Sequence, residues 1–168
     1  MKNLTTPINS DQLSQLKVGD MITISGKIFT GRDAVLPKIV ALINSDKLSN
    51  IDVDFQGAVM FHTAVSPAGV GPTSSNKLEI ESSFPALSYA GLKMHLGKGK
   101  ISDSTIESLD ENNSCYAIIP PVTALLESRI KQRKVMAFPE LGMEALHLLE
   151  VEEFPVIIAA IHGETIYK

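Results

Sequence analysis

Cysteine is almost absent from this sequence, since Cys115 is the single cysteine among 168 residues. One thiol excludes an internal disulfide framework, and it excludes an iron–sulfur or zinc site built from several cysteines of this chain. Positive charge is not in excess either, because 15 Lys and Arg stand against 19 Asp and Glu, a net charge of −4. Nucleic-acid-binding proteins usually carry a clear positive excess, so we expect no nucleic-acid partner.

Long apolar runs are also missing from the sequence. No run approaches the ~20 residues that a membrane-spanning helix requires, and the longest candidate covers 156–161. The first residues, Met1 to Pro7, lack the apolar core of a secretory signal. We therefore expect a cytoplasmic protein with no membrane partner.

The overall composition is that of a folded protein. Apolar residues make up 44% and charged residues 20% of the chain, which is typical of globular and not of disordered proteins. A chain of this length buries roughly 70% of its unfolded surface and suits one domain. We predict a single domain over residues 1–168, in which the polar residues 1–17 form an N-terminal arm, either extended or docked.

Hydrophobic periodicity and turn residues predict alternating strands and helices. The predicted strands are 21–29 (with a bulge at Gly26), 57–61, 92–96, 115–119, 135–138, 145–151 and 155–161. The predicted helices are 34–43, a helix from 76 that Pro85 ends or kinks, 104–113 and 120–130. Asp33 and the Ser104–Glu107 spacing predict helix caps, and the basic run 129–134 predicts a solvated helix end. The alternation indicates a mixed α/β domain.

Gly31-Arg32-Asp33 is the first of three segments that suit an anion. It lies between a predicted strand and a predicted helix. The two-pronged guanidinium of Arg32 and the nearby helix N-terminus both favour a carboxylate or a phosphate. The alternative is an ordinary turn in which Asp33 only caps the helix.

The second and third segments are rich in glycine. Residues 67–75 form a predicted loop in which Gly71, Thr73 and Ser74 precede Lys77, and flexible backbone with hydroxyls and a lysine suits an oxyanion. The order of residues is not that of a nucleotide-binding phosphate loop, and a tight turn with a serine cap is the alternative. Lys98, flanked by glycines after an apolar strand, could hold a carboxylate or could lie in a solvated turn.

The four histidines and the cysteine suggest no metal site. No pair among His62, His95, His147 and His162 has the helical spacing of metal ligands. His95 and His147 fall within apolar strands, which favours hydrogen-bonded positions in the core or an interface. Cys115 lies in a predicted apolar strand, where we expect a buried and inert thiol.

Taken together, these segments resemble a known family. The matching stretches run from Val18-Gly19-Asp20 to the C-terminal strands and include Gly31–Ala34, Gly71–Ser75, Gly97–Gly99, Phe138–Ala145 and Val151–Pro155. In order and spacing they are similar to the β subunit of class I fumarases and L(+)-tartrate dehydratases. These enzymes are iron–sulfur-dependent hydro-lyases. In single-chain members, the same unit is the C-terminal domain.

The resemblance implies a fold, a partner and a reaction. The fold is a swivelling β/β/α three-layer domain with mixed sheets, and the partner is an α subunit whose cysteines hold a 4Fe–4S cluster, in a dimer of heterodimers. The reaction is the reversible dehydration of a small 2-hydroxydicarboxylic acid, either malate to fumarate or tartrate to oxaloacetate. This chain would bind no metal itself. It would be inactive without its partner.

The resemblance also assigns roles to residues of this chain. Arg32 would bind a substrate carboxylate, Thr73 matches the proposed proton-abstracting threonine, and Lys98 matches a lysine that contacts substrate. Gly71, Ser74 and Lys77 belong to the same substrate-binding loop. Proton abstraction next to a carboxylate builds dianionic charge, which cationic donors stabilise.

Three departures from the family pattern leave the activity open. Leu36 stands where a histidine is usual, Lys77 replaces an arginine fork with a point charge, and Pro120-Pro121 replaces paired glycines. One interpretation is a hydro-lyase for a different substrate. The other is a non-catalytic or substrate-diverged anion-binding or assembly domain of the same fold.

Overall fold

The computed structural model describes residues 2–66, 69–73, 77–120 and 123–167, with the side chains of these residues except at 66, 69–73, 77–80 and 123–124. The helices in this part are α1 (Ser10–Ser14), α2 (Leu36–Asn44), α3 (Lys77–Tyr89), α4 (Asp103–Glu111) and α5 (Thr123–Ser128). The strands are β1 (Lys2–Thr5), β2 (Met21–Thr30), β3 (Val59–Phe61), β4 (Thr63–Ser66), β5 (Gly69–Thr73), β6 (Met94–Gly97), β7 (Cys115–Ile118), β8 (Ile130–Ala137), β9 (Leu146–Ile161) and β10 (Glu164–Thr165). Short 3₁₀ turns cover Leu48–Asn50 and Pro139–Glu144.

Five strands pair in a closed ring. β2, β3, β6 and β7 are parallel neighbours in that order. β9 runs antiparallel to both β7 and β2 and closes the ring between them. β1 extends β2 in parallel, whereas β8 and β10 pair antiparallel with β9. β4 and β5 form a separate hairpin.

The interior of the ring is apolar because side chains alternate between the two faces of each strand. All five strands contribute to one buried cluster, which includes Ile22, Ile24, Ile28, Val59, Phe61, Met94, Leu96, Cys115, Ala117, Phe154, Val156 and Ile158. Burying each large apolar side chain stabilises the fold by roughly 1.5–3 kcal/mol. The interior of the ring is therefore filled with side chains and forms the core of the domain.

Helices cover the outer face of the parallel strands. Ile39 of α2 and Leu87 of α3 pack with Phe29 and Met60, which point outward from β2 and β3. Further along, residues of α3 and α4 pack against β7 and β9, in a cluster of Phe84, Ile106, Leu109, Tyr116, Ala159 and Ala160. The two sides of the ring and the helical layer form the β/β/α layers, and the prediction of an α/β fold with mixed sheets is confirmed.

The N-terminal residues are docked on the ring and are not an extended arm. β1 pairs with β2, and four apolar side chains of this segment are buried in the central cluster: Leu4, Ile8, Leu13 and Leu16. The predicted bulge at Gly26 is confirmed, because the pairing register of β2 with β9 shifts between Ile24 and Gly26. No helix in the described part of the chain is long and apolar enough to cross a membrane.

Several local predictions are wrong because tertiary contacts override local signals. The basic residues 130–134 lie in strand β8, although they are exposed or partly exposed as expected. The two predicted strands 145–151 and 155–161 form one strand, β9. Pro155 is tolerated because β8 pairs with β9 only as far as Val151 and β7 pairs with it only from Ile157. At Pro155, β9 therefore has no partner strand on the edge of β7 and β8, and the missing N–H removes no hydrogen bond there.

Helix boundaries differ from the predictions for similar reasons. Pro85 lies inside α3, which continues to Tyr89 because the flanking Phe84 and Leu87 are fully buried against the sheet. The cap of α4 is Ser102 and not Ser104; its N–H and hydroxyl both donate to Glu81 of α3. The predicted helix 120–130 is limited to α5, and Pro121 lies outside the described residues.

Candidate functional site

The parallel strands end at a common edge of the ring. Their pairing registers bring the last residues of these strands, Thr30, Phe61, Gly97 and Ile118, to the same edge. Backbone hydrogen bonds continue just beyond the strands, from Gly31 N–H to the Phe61 carbonyl and from His62 N–H to the Leu96 carbonyl. In both open and closed α/β folds, ligands commonly bind at the carboxyl ends of the parallel strands.

Arg32 lies at this edge, two residues after the end of β2. Its side chain is one quarter exposed, and its terminal nitrogen Nη2 lies 4.0 Å from Oε2 of Glu144. The second oxygen of the same glutamate accepts a hydrogen bond of 3.1 Å from the Ala34 N–H. Glu144 therefore contacts the Arg32 loop at two points, one on a side chain and one on the backbone.

The segment before α2 does not have the predicted cap. Val35, in helical conformation, is the N-cap residue and makes no side-chain capping bond, so the prediction that Asp33 caps this helix is wrong. Pro37 lies in the first turn as predicted. The glutamate from the distant 3₁₀ turn binds the Ala34 N–H ahead of the helix. Leu36, where the resembled family has histidine, is buried in the apolar cluster beneath α2.

Glu144 is a residue of the site that sequence reasoning missed. It belongs to the motif 138–145 that supports the resemblance, but no role followed from the motif. In the structure, this segment is a compact turn in which Phe138 and Gly142 have positive φ angles of 55° and 60°. Hydrogen bonds from Leu141 N–H to Phe138 O and from Ala145 N–H to Gly142 O close it. The turn directs Glu144 toward Arg32.

The predicted loop 67–75 is in part a strand. Gly71 and Thr73 lie in β5, which pairs with β4 so that Thr73 stands opposite Thr63. Thr63 is fully buried and follows β3 by two residues. The hairpin therefore returns the backbone of Thr73 to the carboxyl edge. Lys77 is the first residue of α3, and the predicted site residue Ser74 lies outside the described residues.

Lys98 directly follows β6 and is exposed, as predicted. The next residue, Gly99, accepts a hydrogen bond of 3.0 Å from the Tyr116 hydroxyl at its carbonyl oxygen. Burial raises the pKa of Tyr116, so the hydroxyl remains a protonated donor. The backbone that carries Lys98 is thus tied to β7.

The topology brings three predicted site residues to one edge. β3 lies between β2 and β6, so the loops of Arg32 and Lys98 flank the start of the hairpin that carries Thr73. Lys77 begins α3. The gathering of two cationic side chains and a threonine at the ends of parallel strands is an arrangement that can bind a small anion.

A buried histidine pair lies beneath the edge. His62 Nε2 is 3.1 Å from His95 Nδ1, and His95 Nε2 is 3.0 Å from the Ser88 hydroxyl of α3. The Phe84 ring stacks on His95 with centroids 4.0 Å apart. Both histidines have no exposed surface. Burial lowers the pKa of His62 to about 3, and burial together with the neighbouring His62 lowers the pKa of His95, so both are neutral.

The cysteine of the chain is unsuited to metal binding. Cys115 is fully buried inside the ring, as expected, and burial raises its pKa to about 12. Metal ligation requires the thiolate form. Among the residues that the structure describes, no group of three or more His, Cys, Asp or Glu side chains is placed to hold a metal ion.

Comparisons with known proteins identify the family of this chain. The family described as "Fumarase C-terminus" matches residues 2–168. The β subunit of L(+)-tartrate dehydratase of Escherichia coli (strain K12) is 30% identical over 179 residues, covering 98% of this chain and 86% of that subunit. The anaerobic class I fumarate hydratase of the same strain is 30% identical over 156 residues, covering 88% of this chain and 28% of that enzyme.

Fumarate hydratase 2 of Leishmania major is similar as well, with 29% identity over 167 residues that cover 93% of this chain and 29% of that enzyme. The chain therefore spans less than a third of the length of either fumarate hydratase, whereas it matches most of the tartrate dehydratase subunit. The family match extends over the whole described fold, including the Arg32, Thr73 and Lys98 segments. The resemblance inferred from the sequence is confirmed, and the chain belongs to the Fumarase C-terminus family.

Proposed function

We propose that this chain is the β subunit of a cytoplasmic heteromeric hydro-lyase that reversibly dehydrates a small 2-hydroxydicarboxylic acid. The observation that carries the proposal is the placement of Arg32, Thr73 and Lys98 at one edge of the ring. The names of the relatives support it, because they are fumarate hydratases and a tartrate dehydratase subunit β. Malate or fumarate, and tartrate or oxaloacetate, are the corresponding substrates.

Arg32 and Lys98 bind the substrate carboxylates in this proposal. The guanidinium fork donates two parallel hydrogen bonds to one carboxylate, whereas the ammonium group acts as a point charge on the other. Both cations also stabilise the charge that develops when a proton is removed next to a carboxylate. Their positions at the ends of separate strands set the spacing between the two contacts.

Thr73 is the proposed base that removes the proton. A hydroxyl is a weak base unless neighbouring cations lower its pKa, and Lys77 and Lys98 are the candidates for this role. The backbone pairing of Thr73 with the buried Thr63 holds this residue on an ordered strand. Gly71 and Ser74 would complete the substrate-binding loop.

The residues of this chain do not fit a 4Fe–4S cluster of their own. Such a cluster is held by several cysteine thiolates, whereas this chain has one cysteine, which is buried and protonated. Any cluster of the assembled enzyme is therefore held by a partner, which we propose is an α subunit. A dimer of such heterodimers is the proposed assembly.

A second candidate is an anion-binding assembly domain without catalytic activity. One observation favours it: Leu36 is buried among apolar side chains at the position where the resembled family has histidine. The segment next to Arg32 thus offers no imidazole there. This candidate keeps carboxylate binding but lacks dehydration.

The two candidates are separated by anaerobic reconstitution with iron, sulfide and the α chain, followed by hydration and dehydration assays on malate, fumarate and both tartrate enantiomers. Under the first candidate, Arg32→Ala lowers kcat/KM about ten- to hundred-fold, because it removes a charge-assisted hydrogen bond. Thr73→Ala lowers kcat by about a hundred-fold or more, as expected for a lost base. Lys98→Ala weakens binding, with the exposed Lys100→Ala as its matched control.

Full activity of the Arg32→Ala or Thr73→Ala complex would contradict the assignment of these residues. Absence of turnover with every substrate, together with retained binding of succinate by the assembled complex, would favour the assembly domain. Arg32→Lys tests the geometry, since it keeps the charge and removes the fork.

A further inference from the structure

We infer that Glu144 is a positioning residue that holds Arg32 in its carboxylate-binding orientation. The inference rests on the proposed function, because it concerns the orientation in which Arg32 meets a substrate carboxylate. It also assigns a role to the turn 138–145, which the proposed reaction does not otherwise use.

The geometry shows how the two oxygens of Glu144 divide their contacts. Oε1 accepts the Ala34 N–H at 3.1 Å, which fixes the carboxylate to the backbone of the Arg32 loop. Oε2 lies 4.0 Å from Nη2 of Arg32. A carboxylate fixed by one oxygen presents the other in a defined direction, and Oε2 is the oxygen nearer to Nη2 of Arg32.

The separation of Arg32 and Glu144 is longer than that of a tight ion pair. Both side chains are partly exposed, 25% for Arg32 and 31% for Glu144, and the separation of 4.0 Å is long for a charge-assisted hydrogen bond. Exposed pairs of this kind are weak, so Glu144 restricts the guanidinium without neutralising it.

The backbone around Glu144 is built to direct this side chain. Gly142 has a φ of 60° and a ψ of −122°, a conformation that side-chain-bearing residues rarely adopt. Two hydrogen bonds within the turn, Leu141 N–H to Phe138 O and Ala145 N–H to Gly142 O, hold its shape. An unusual backbone conformation next to a candidate site is consistent with a positioning role.

The test is a double-mutant cycle in the enzyme assembled with its α subunit. We expect Glu144→Gln to raise KM about two- to five-fold, the range that follows from the strength of exposed ion pairs, with kcat changed less than two-fold. In the Arg32→Ala background, the same substitution leaves KM unchanged. Glu140→Gln, an exposed glutamate of the same turn, is the matched control and leaves both constants unchanged.

Other outcomes overturn the inference. An unchanged KM in Glu144→Gln would show that Arg32 needs no such partner, and a lowered KM would show that Glu144 competes with the substrate. If Glu144→Gln raises KM equally with and without the Arg32 side chain, the glutamate only stabilises the turn.

A second measurement separates this inference from the proposed function. If the assembled enzyme dehydrates no hydroxydicarboxylate, the proposed function fails, but NMR of the full-length chain still tests the contact. We expect Glu144→Gln to shift the Arg32 Nε–H and Ala34 amide signals, while Glu140→Gln does not. Unchanged signals in both variants would overturn the positioning role.

Discussion

The Tyr116 hydroxyl donates a 3.0 Å hydrogen bond to the Gly99 carbonyl, one residue beyond Lys98. Tyr116 is 1% exposed, and its ring lies so close to Gly97 that a Cβ there would be 3.2 Å from it. The aromatic ring and the hydroxyl therefore confine the backbone on both sides of Lys98. This contact connects the core of the protein to the proposed substrate-binding lysine.

We predict that Tyr116→Phe loosens the Lys98 loop while the ring remains packed. The loss of one partly buried hydrogen bond lowers the free energy of unfolding by about 1 kcal/mol, measured by urea denaturation. Amide exchange should accelerate at Gly99 and Lys100 more than in β7. Tyr89→Phe is the control, because Tyr89 is 81% exposed. Equal exchange rates in Tyr116→Phe and the unmodified chain would contradict the prediction.

The buried histidine pair predicts a loss of stability in mild acid. In the unfolded chain, both imidazoles take up protons below a pKa of about 6.5. In the folded chain, burial lowers the pKa of His62 to about 3 and also lowers that of His95. The unfolded state therefore binds more protons, and the free energy of unfolding falls as pH decreases from about 6.5 toward 3.

The expected slope is about 1 kcal/mol per pH unit for each histidine, measured by urea unfolding between pH 7.5 and 5. The two histidines together contribute part of this slope. His62→Phe should remove about half of that part, because one of the two histidines is lost. His162→Gln, at an exposed histidine outside the pair, serves as the control. The same slope in His62→Phe as in the unmodified chain would show that this histidine is not neutral in the folded state.

Cys115 is expected to be unreactive until the ring opens. Its thiol is fully buried with a pKa of about 12, so the thiolate that attacks alkylating agents is scarce at pH 8. Alkylation should therefore proceed at the rate of unfolding and accelerate in urea. Cys115→Ala should leave the iron content of the assembled enzyme unchanged, measured by metal analysis. Fast labelling under native conditions would contradict the burial.

Gly26→Ala should destabilise the fold by about 1–3 kcal/mol. Gly26 has a φ of +105°, and a Cβ there would lie 2.5 Å from Thr6 Oγ1, the atom that accepts the Lys27 N–H. Gly19→Ala is the matched control, since Gly19 has a φ of +88° but no atom within 4 Å of a Cβ. Thermal unfolding of the two variants separates the steric clash from backbone strain, and equal losses would exclude a contribution from the clash.

Local sequence signals predict the individual segments of the candidate site. The apolar strands before Arg32 and Lys98 are visible as alternation, and the glycines beside each mark the strand ends. The order of the strands cannot be predicted in this way, because no local signal indicates that β3 lies between β2 and β6. The candidate site can therefore be predicted from local signals only as separate anion-binding segments, and the family resemblance joins them.

The incorrect predictions share a physical cause. Asp33 has the chemistry of a cap, but a glutamate distant in sequence, Glu144, takes the nearby Ala34 N–H. Pro155 interrupts a strand pattern, yet it falls where β9 has a partner on only one edge. In both cases, a non-local contact decides the local structure. Such contacts follow from the topology and not from propensity.

Strand β9 has a consequence for the way in which the chain is made. It pairs with β2, β7, β8 and β10, and Thr30 of β2 meets His147 of β9 across most of the sequence. While the ribosome synthesises the intervening residues, β2 and β3 present an apolar inner face without the strand that closes it. Non-local closure of this kind slows folding and exposes nascent chains to aggregation. The inner face of β2 and β3 therefore stays without its closing strand until β9 has emerged.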